Sequence, residues 1–219
     1  MFSIKKFEFY ILDFIFPKSE SVFELESMPV GVLLNKLSPA REIEDERLIV
    51  LFDYKDPSVR MMVWELKYKG NRNIGRKFAE IMLDIIRHEL AERALFENFI
   101  NPILVPMPVS NKRRRERGWN QTEIVAEEML KLEDNLFEYS PNILVKHLHT
   151  DSQARTHATK RERLENLSDS MSVINADNIK DRNVILLDDV TTTGSTFAEA
   201  KRALKQAGAK KILCVAIAH

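Results

Sequence analysis

Asn183-Val184-Ile185-Leu186-Leu187-Asp188-Asp189-Val190-Thr191-Thr192-Thr193-Gly194-Ser195-Thr196 decides the fold. The apolar run Val184 to Leu187 reads as a strand buried on both faces, as in a parallel sheet covered by helices. Two carboxylates follow at its carboxyl end, the edge where open parallel sheets bind ligands. Small hydroxyl residues and a glycine then lead into Phe197, Ala200, Ala203, Leu204 and Ala207, apolar at helical spacing and stopped by Gly208. Unpaired amides at such a helix start favour an anion. The hydroxyls of Thr192, Thr193, Ser195 and Thr196 add donors, and Gly194 lets the backbone approach closely. The acids would repel that anion, so they serve sugar hydroxyls or the waters of Mg2+. Cradle and acids together describe a site for a ribose 5-phosphate. The plain alternative is a strand end followed by an ordinary Ser/Thr helix cap. The loop lacks the Gly-Lys-Ser/Thr ending of a nucleotide P-loop, which disfavours an ATPase.

Working outward, Lys211 to Ile217 is a last strand. Strand, loop, helix and strand at this spacing imply parallel pairing with right-handed crossovers. The expected class is α/β, an open, mainly parallel sheet flanked by helices. Further strands are expected at Leu48–Phe52, Ile103–Val105, ended by Pro106-Met107-Pro108, and Ile143–Val145. Helices are expected over Val59–Lys67 and Asn120–Lys131. Another is marked by Ile74, Phe78, Ile81, Met82, Ile85 and Ile86, with Asn71 or Asn73 as cap. Residues 1–50 read as irregular beyond an amphipathic helix over Met1–Pro17. Glu8 and Asp13 argue against a signal peptide there, and the stretch is too short to cross a bilayer. The expected division is an N-terminal helical or irregular hood, 1–58, and a main domain, 59–219.

Lysine plus arginine and aspartate plus glutamate number 33 each, so no global field calls for a nucleic acid. Any polyanion site must be local, and Lys112-Arg113-Arg114-Arg115-Glu116-Arg117 is the sharpest cluster. It reads as a solvated basic turn, a pyrophosphate contact through Arg117, or a single-stranded DNA surface with Trp119 as stacking platform. The lone cysteine, Cys214, lies in an apolar run and reads as a buried strand residue; cysteine poverty suits a reducing cytoplasm.

The loop resembles the signature of type I phosphoribosyltransferases, which bind 5-phosphoribosyl 1-pyrophosphate (PRPP). Other elements resemble the ComF family of competence-associated proteins: Leu66-Lys67-Tyr68-Lys69-Gly70, Val105-Pro106-Met107-Pro108, Arg117-Gly118-Trp119-Asn120-Gln121, and Gln153 followed by Arg163-Leu164-Glu165-Asn166. The resemblance runs in order over roughly residues 60–219.

It implies PRPP and Mg2+ as ligands, held by Asp188, Asp189, Val190, Thr191, Thr192, Thr193, Gly194, Ser195 and Thr196. Asp188, Asp189 and Arg163 would carry the chemistry. Lys67, Pro106, Met107, Pro108, Val109 and Arg117 would meet the pyrophosphate. Gln153, Arg155, Arg161, Arg163 and Asn166 would sit on a lid, in the polar stretch 147–170, that excludes water. The acceptor of the phosphoribosyl group is not legible. Where some relatives carry an acid two residues before the loop glycine, this chain has Thr192. A PRPP sensor without catalysis, or a single-stranded DNA accessory protein using Lys112, Arg113, Arg114, Arg115 and Trp119, is therefore the alternative. Family members commonly carry paired zinc cysteines after a Phe-Pro. Here Phe16-Pro17 is followed by Lys18-Ser19-Glu20-Ser21, so no structural zinc is expected. His147, His149 and His157 lack the company a metal site needs.

Overall fold

The computed structural model describes residues 19–41, 44–147 and 170–219. The expected Met1–Pro17 helix and residues 148–169, which include every lid residue named above, lie outside the described residues. Five parallel strands form the main sheet, in the order β1 (Leu48–Phe52), β7 (Lys211–Ala218), β6 (Asn183–Val190), β2 (Ile103–Pro106) and β3 (Glu138–Tyr139). The central strand β6 alternates its side chains between two cores. Ile185 and Leu187 join Leu104, Leu213 and Val215 beneath α3 (Pro57–Trp64), α4 (Arg72–Glu97) and α6 (Gln121–Leu132). Val184 and Leu186 join Val105, Ile212 and Cys214 beneath α7 (Ser195–Gln206). A strand apolar on both faces needs both covers, which is why the uninterrupted run reads as a central parallel strand. Cys214 is fully buried, and burial pushes its thiol up to about 12.

Helix α4 starts where its cap is expected: the Asn71 side chain accepts the Ile74 amide, and Ile74, Phe78, Ile81, Met82 and Ile86 are buried. It runs on to Glu97, its last turns laced by Arg93 to Glu89 and Glu97. Residues 19–41 are more regular than expected. Ser19 caps α1 (Glu20–Ser27), and α2 (Val30–Lys36) follows, burying Val22, Leu25 and Leu33. Two-turn helices offer too few periods for a sequence pattern to register. Strand β1 lies before the expected division at 58/59, yet it pairs with β7 in the main sheet.

Ile143–Val145 was expected as a strand, and β4 (Leu144–Lys146) forms. It pairs antiparallel with β5 (Met171–Val173) in a separate two-stranded sheet. These strands bring the ends of the polar stretch together, where the His147 amide donates to the Ser170 carbonyl (2.8 Å). Among the described residues no helix is long and apolar enough to cross a membrane.

Buried Glu199 of α7 ties this strand pair to the main domain. It accepts the Met171 amide (3.1 Å) and pairs with Arg202 (2.8 Å), which donates to the Met171 carbonyl (3.1 Å). Glu199→Ala leaves a buried amide unsatisfied, so denaturant titration should show a loss of about 2 kcal/mol. Amide exchange at Met171 should rise with it.

Candidate functional site

Asp188 and Asp189 sit at the carboxyl end of β6, only 7% and 6% exposed. Each carboxylate folds back on the next amide: Asp188 Oδ1 accepts from Asp189 (2.8 Å) and Asp189 Oδ1 from Val190 (2.9 Å). The pair is unequal. Gln121 Nε2 donates to Asp189 Oδ2 (3.1 Å), and Lys67 Nζ lies 3.8 Å from the same oxygen. Burial first, then the Asp189 charge and a hydrogen bond between the two carboxyls, push Asp188 well above the usual carboxylate range.

Beyond the acids, the Thr191 amide closes onto Ala218 of β7 (2.9 Å). Thr192 and Thr193 are exposed. Gly194 precedes α7 in the left-handed region (φ 71°), with open space where a Cβ would stand, so conformation rather than crowding requires glycine. Thr193 Oγ1 donates to Ser195 Oγ (2.9 Å) and accepts the Ser195 amide (3.4 Å). The amides of Thr196 and Phe197 remain in the first turn without a helical acceptor. The loop thus presents amides and hydroxyls beside the acid pair. His219 supports it, its Nε2 donating to the Thr192 carbonyl (3.0 Å), a contact the sequence pattern did not point to because it joins residues 27 apart through β6 and β7.

The two segments expected at the pyrophosphate come close by different routes. Lys67 lies on a π-helical turn, Glu65–Lys69, closed by Gly70 in the left-handed region. Trp119 covers Gly70 so tightly that a Cβ there would stand 2.9 Å from its ring. Pro106 pairs with Leu187, one residue before the acids. Of the turn Pro106-Met107-Pro108-Val109, the prolines carry no N–H, and the Met107 amide is spent on the Leu187 carbonyl (2.7 Å). Only the Val109 amide is left for an anion. The Met107 carbonyl accepts from Asn120 Nδ2 and Thr122 Oγ1 (both 3.0 Å), which seats the start of α6 and with it Gln121. Gln121 was legible only as part of the Arg-Gly-Trp-Asn-Gln element.

The basic cluster is a helix, α5 (Asn111–Arg117), capped by Ser110, rather than the turn that one of its three readings supposed. Arg114 pairs with Glu123 (2.5 Å) and Lys112 with Glu116 (4.0 Å). The Arg117 guanidinium stacks on Tyr68 (4.8 Å), and its buried Nη1 has no hydrogen-bond partner among the described residues. Trp119 is partly buried, packed against the core and over Gly70. The exposed aromatics beside α5 are Trp64 (49%) and Tyr68 (51%), their rings 5.5 Å apart, with Lys69 over Trp64.

A family model described as "Phosphoribosyl transferase domain" matches residues 142–219. The chain is 25% identical to "Competence protein F" of Haemophilus influenzae over 170 residues, 76% of this chain and 70% of that protein. It is 25% identical to "DNA utilization protein YhgH" of Escherichia coli K12 over 194 residues, 84% and 75% respectively. It is 33% identical to "Competence protein ComFC" of Bacillus subtilis over 106 residues, 48% and 39%. A Bacillus subtilis glutamine PRPP amidotransferase superposes with a TM-score of 0.41 at 15% identity, over 70% of this chain and 30% of that one, too distant to carry an argument. The domain match spans the strand, loop and helix that carry the acid pair, so this part of the chain is similar to phosphoribosyl transferase domains, set on an open parallel sheet. The relatives that align along most of its length are competence and DNA-utilization proteins, to which the chain is similar.

The unequal acid pair has a measurable consequence. A carboxyl whose folded pKa is raised stabilises the fold below its unfolded pKa, and that stability is lost as pH rises through the folded value. Asp188→Asn keeps an oxygen for the Asp189 amide and removes the titration. Its thermal midpoint should exceed that of the parent by about 2–4 °C at pH 8, as about 1 kcal/mol would give in a domain of this size. The difference should shrink towards pH 5.

Proposed function

We propose that the chain binds Mg2+–PRPP at the β6–α7 loop and transfers the phosphoribosyl group with release of pyrophosphate. One observation carries the reading: a buried acid pair at the mouth of the central strand stands directly before a loop that ends in unpaired helix amides. The 5-phosphate accepts from Thr196, Phe197 and the loop hydroxyls. Asp188 and Asp189 accept from the ribose hydroxyls and from metal waters. Among the described residues no group of three or more potential ligands gathers to cage a metal. That donor set fits a magnesium ion arriving on the substrate's phosphates, since Mg2+ keeps its waters and takes one or two carboxylates. The metal would neutralise charge on the pyrophosphate, and Lys67 and the Val109 amide would meet the same group. The bond from the ribose anomeric carbon to the pyrophosphate oxygen breaks, its electron pair leaving with pyrophosphate. A lone pair on the acceptor forms the new bond. Positive charge grows on the sugar between these events, and the acid pair stabilises it. Arg163 and the other lid residues, Gln153, Arg155, Arg161 and Asn166, would close over the leaving group. We place the activity in the cytoplasm, which suits a single buried cysteine, and link it to competence and DNA utilization through the relatives' names.

A second reading is supported by Trp64 and Tyr68: a single-stranded nucleic acid stacking there, with Lys112, Arg113 and Arg115 on its phosphates, in a protein that senses PRPP without consuming it. Calorimetry with PRPP and Mg2+ tests the first reading. Binding should need the metal and weaken at least 100-fold, or about 2.7 kcal/mol, in Asp188→Ala/Asp189→Ala. No heat from the parent protein would end the proposal. Binding without pyrophosphate release across a nucleobase panel would leave the sensor.

A further inference from the structure

A cavity of about 520 Å3 lies away from the acid pair, at the amino edge of the sheet. Six of its eight lining residues are cations: Arg47, Lys201, Arg202, Lys205, Lys210 and Lys211, with Ala198 and Ile212 between them. Ala198, Lys201, Arg202 and Lys205 share one face of α7 at helical spacing. Lys210 and Lys211 open β7, and Arg47 immediately precedes its neighbour β1. Asn183 of β6 stands opposite Lys211, and Asp188 five residues further on, so about 17 Å of strand separates this edge from the acids.

Among the described residues the charges do not cancel: three carboxylates pair with four of the six cations. Glu97 serves both Arg47 (3.2 Å) and Lys211 (3.4 Å), Lys201 takes Asp45 (3.1 Å), and Arg202 takes Glu199 (2.8 Å). Lys205 donates instead to the carbonyls of Ala209 (3.2 Å) and Lys210 (2.5 Å), and exposed Lys210 meets no acid among the described residues. Like charges converging on one concavity repel, and folding gains nothing by gathering them. An anion with several charges relieves that repulsion. The lining holds no aromatic side chain on which a base could stack.

We propose that this cavity is a second anion site, for a chain of linked phosphates, free or carried by a nucleotide, distinct from the loop beside Asp188. Its position on the outer end of α7 places it on the helix whose first turn forms that loop, so an occupied cavity stiffens the helix that grips the sugar phosphate.

Titration calorimetry of the full chain with inorganic tripolyphosphate in low salt tests this, with orthophosphate, ATP and a short single-stranded oligonucleotide as comparisons. Tripolyphosphate should bind at least 10-fold more tightly than orthophosphate, and ATP should match it within a few-fold. Lys205→Gln/Lys210→Glu should weaken it at least 10-fold while retaining PRPP binding. Thr196→Glu, which puts a carboxylate on the sugar-phosphate loop, should leave tripolyphosphate affinity unchanged. A parent protein that ignores tripolyphosphate, a double variant that binds it as well, or an oligonucleotide that binds more tightly would each overturn the proposal. So would loss of binding in Thr196→Glu, which would assign the signal to the loop. Because PRPP is measured on the same variants, failure here is separable from failure of the phosphoribosyl reading.

Discussion

Two carboxylates on adjacent residues, buried at the end of a strand with helices on both faces, are the constraint around which the rest is arranged. Desolvation and mutual repulsion both oppose ionising the pair. The fold answers by giving Asp189 a cation and an amide, Lys67 and Gln121, and by leaving Asp188 with its proton favoured. Those two partners come from different helical segments, so the turn after α3 and the start of α6 must both be in place before the site is complete.

The local devices that achieve this are visible. The π-helical turn at Glu65–Lys69 ends at Gly70, where Trp119 packs against bare backbone. Such single π turns inside helical segments often mark functional positions. Asn71 then caps α4 and donates to Glu65 and Glu26, which links α1 to the same corner. On the other side, the Met107 carbonyl takes two bonds from the start of α6. The loop after β2 is thereby tied to the helix that holds Asp189. Helix α7 touches three things at once: the hydroxyl-rich loop at its first turn, the β4–β5 strand pair through Glu199, and the basic cavity along its outer face.

Much of this was legible from residue order. An uninterrupted apolar run, two acids, a hydroxyl-rich loop with glycine and a helix of regular period define β6, the loop and α7, because each depends on neighbours within about fifteen residues. The long period of α4 and its cap were legible for the same reason. The short helices α1 and α2, the helical state of Asn111–Arg117 and the separate β4–β5 sheet were not. Their apolar or capping signals are too brief to outweigh the alternatives without the partners they pack against.

By itself, then, the sequence determined a parallel α/β domain and the acid-and-hydroxyl loop on which we propose that a sugar phosphate binds. Tertiary structure decided which groups attend that place. It spent the Met107 amide on the sheet, turned Trp119 inward and left Trp64 and Tyr68 outside, seated Gln121 on Asp189, and gathered cations separated by more than 150 residues into one cavity. Hydrogen-bond competition and charge convergence are settled by distances in space, and no periodicity along the chain encodes them.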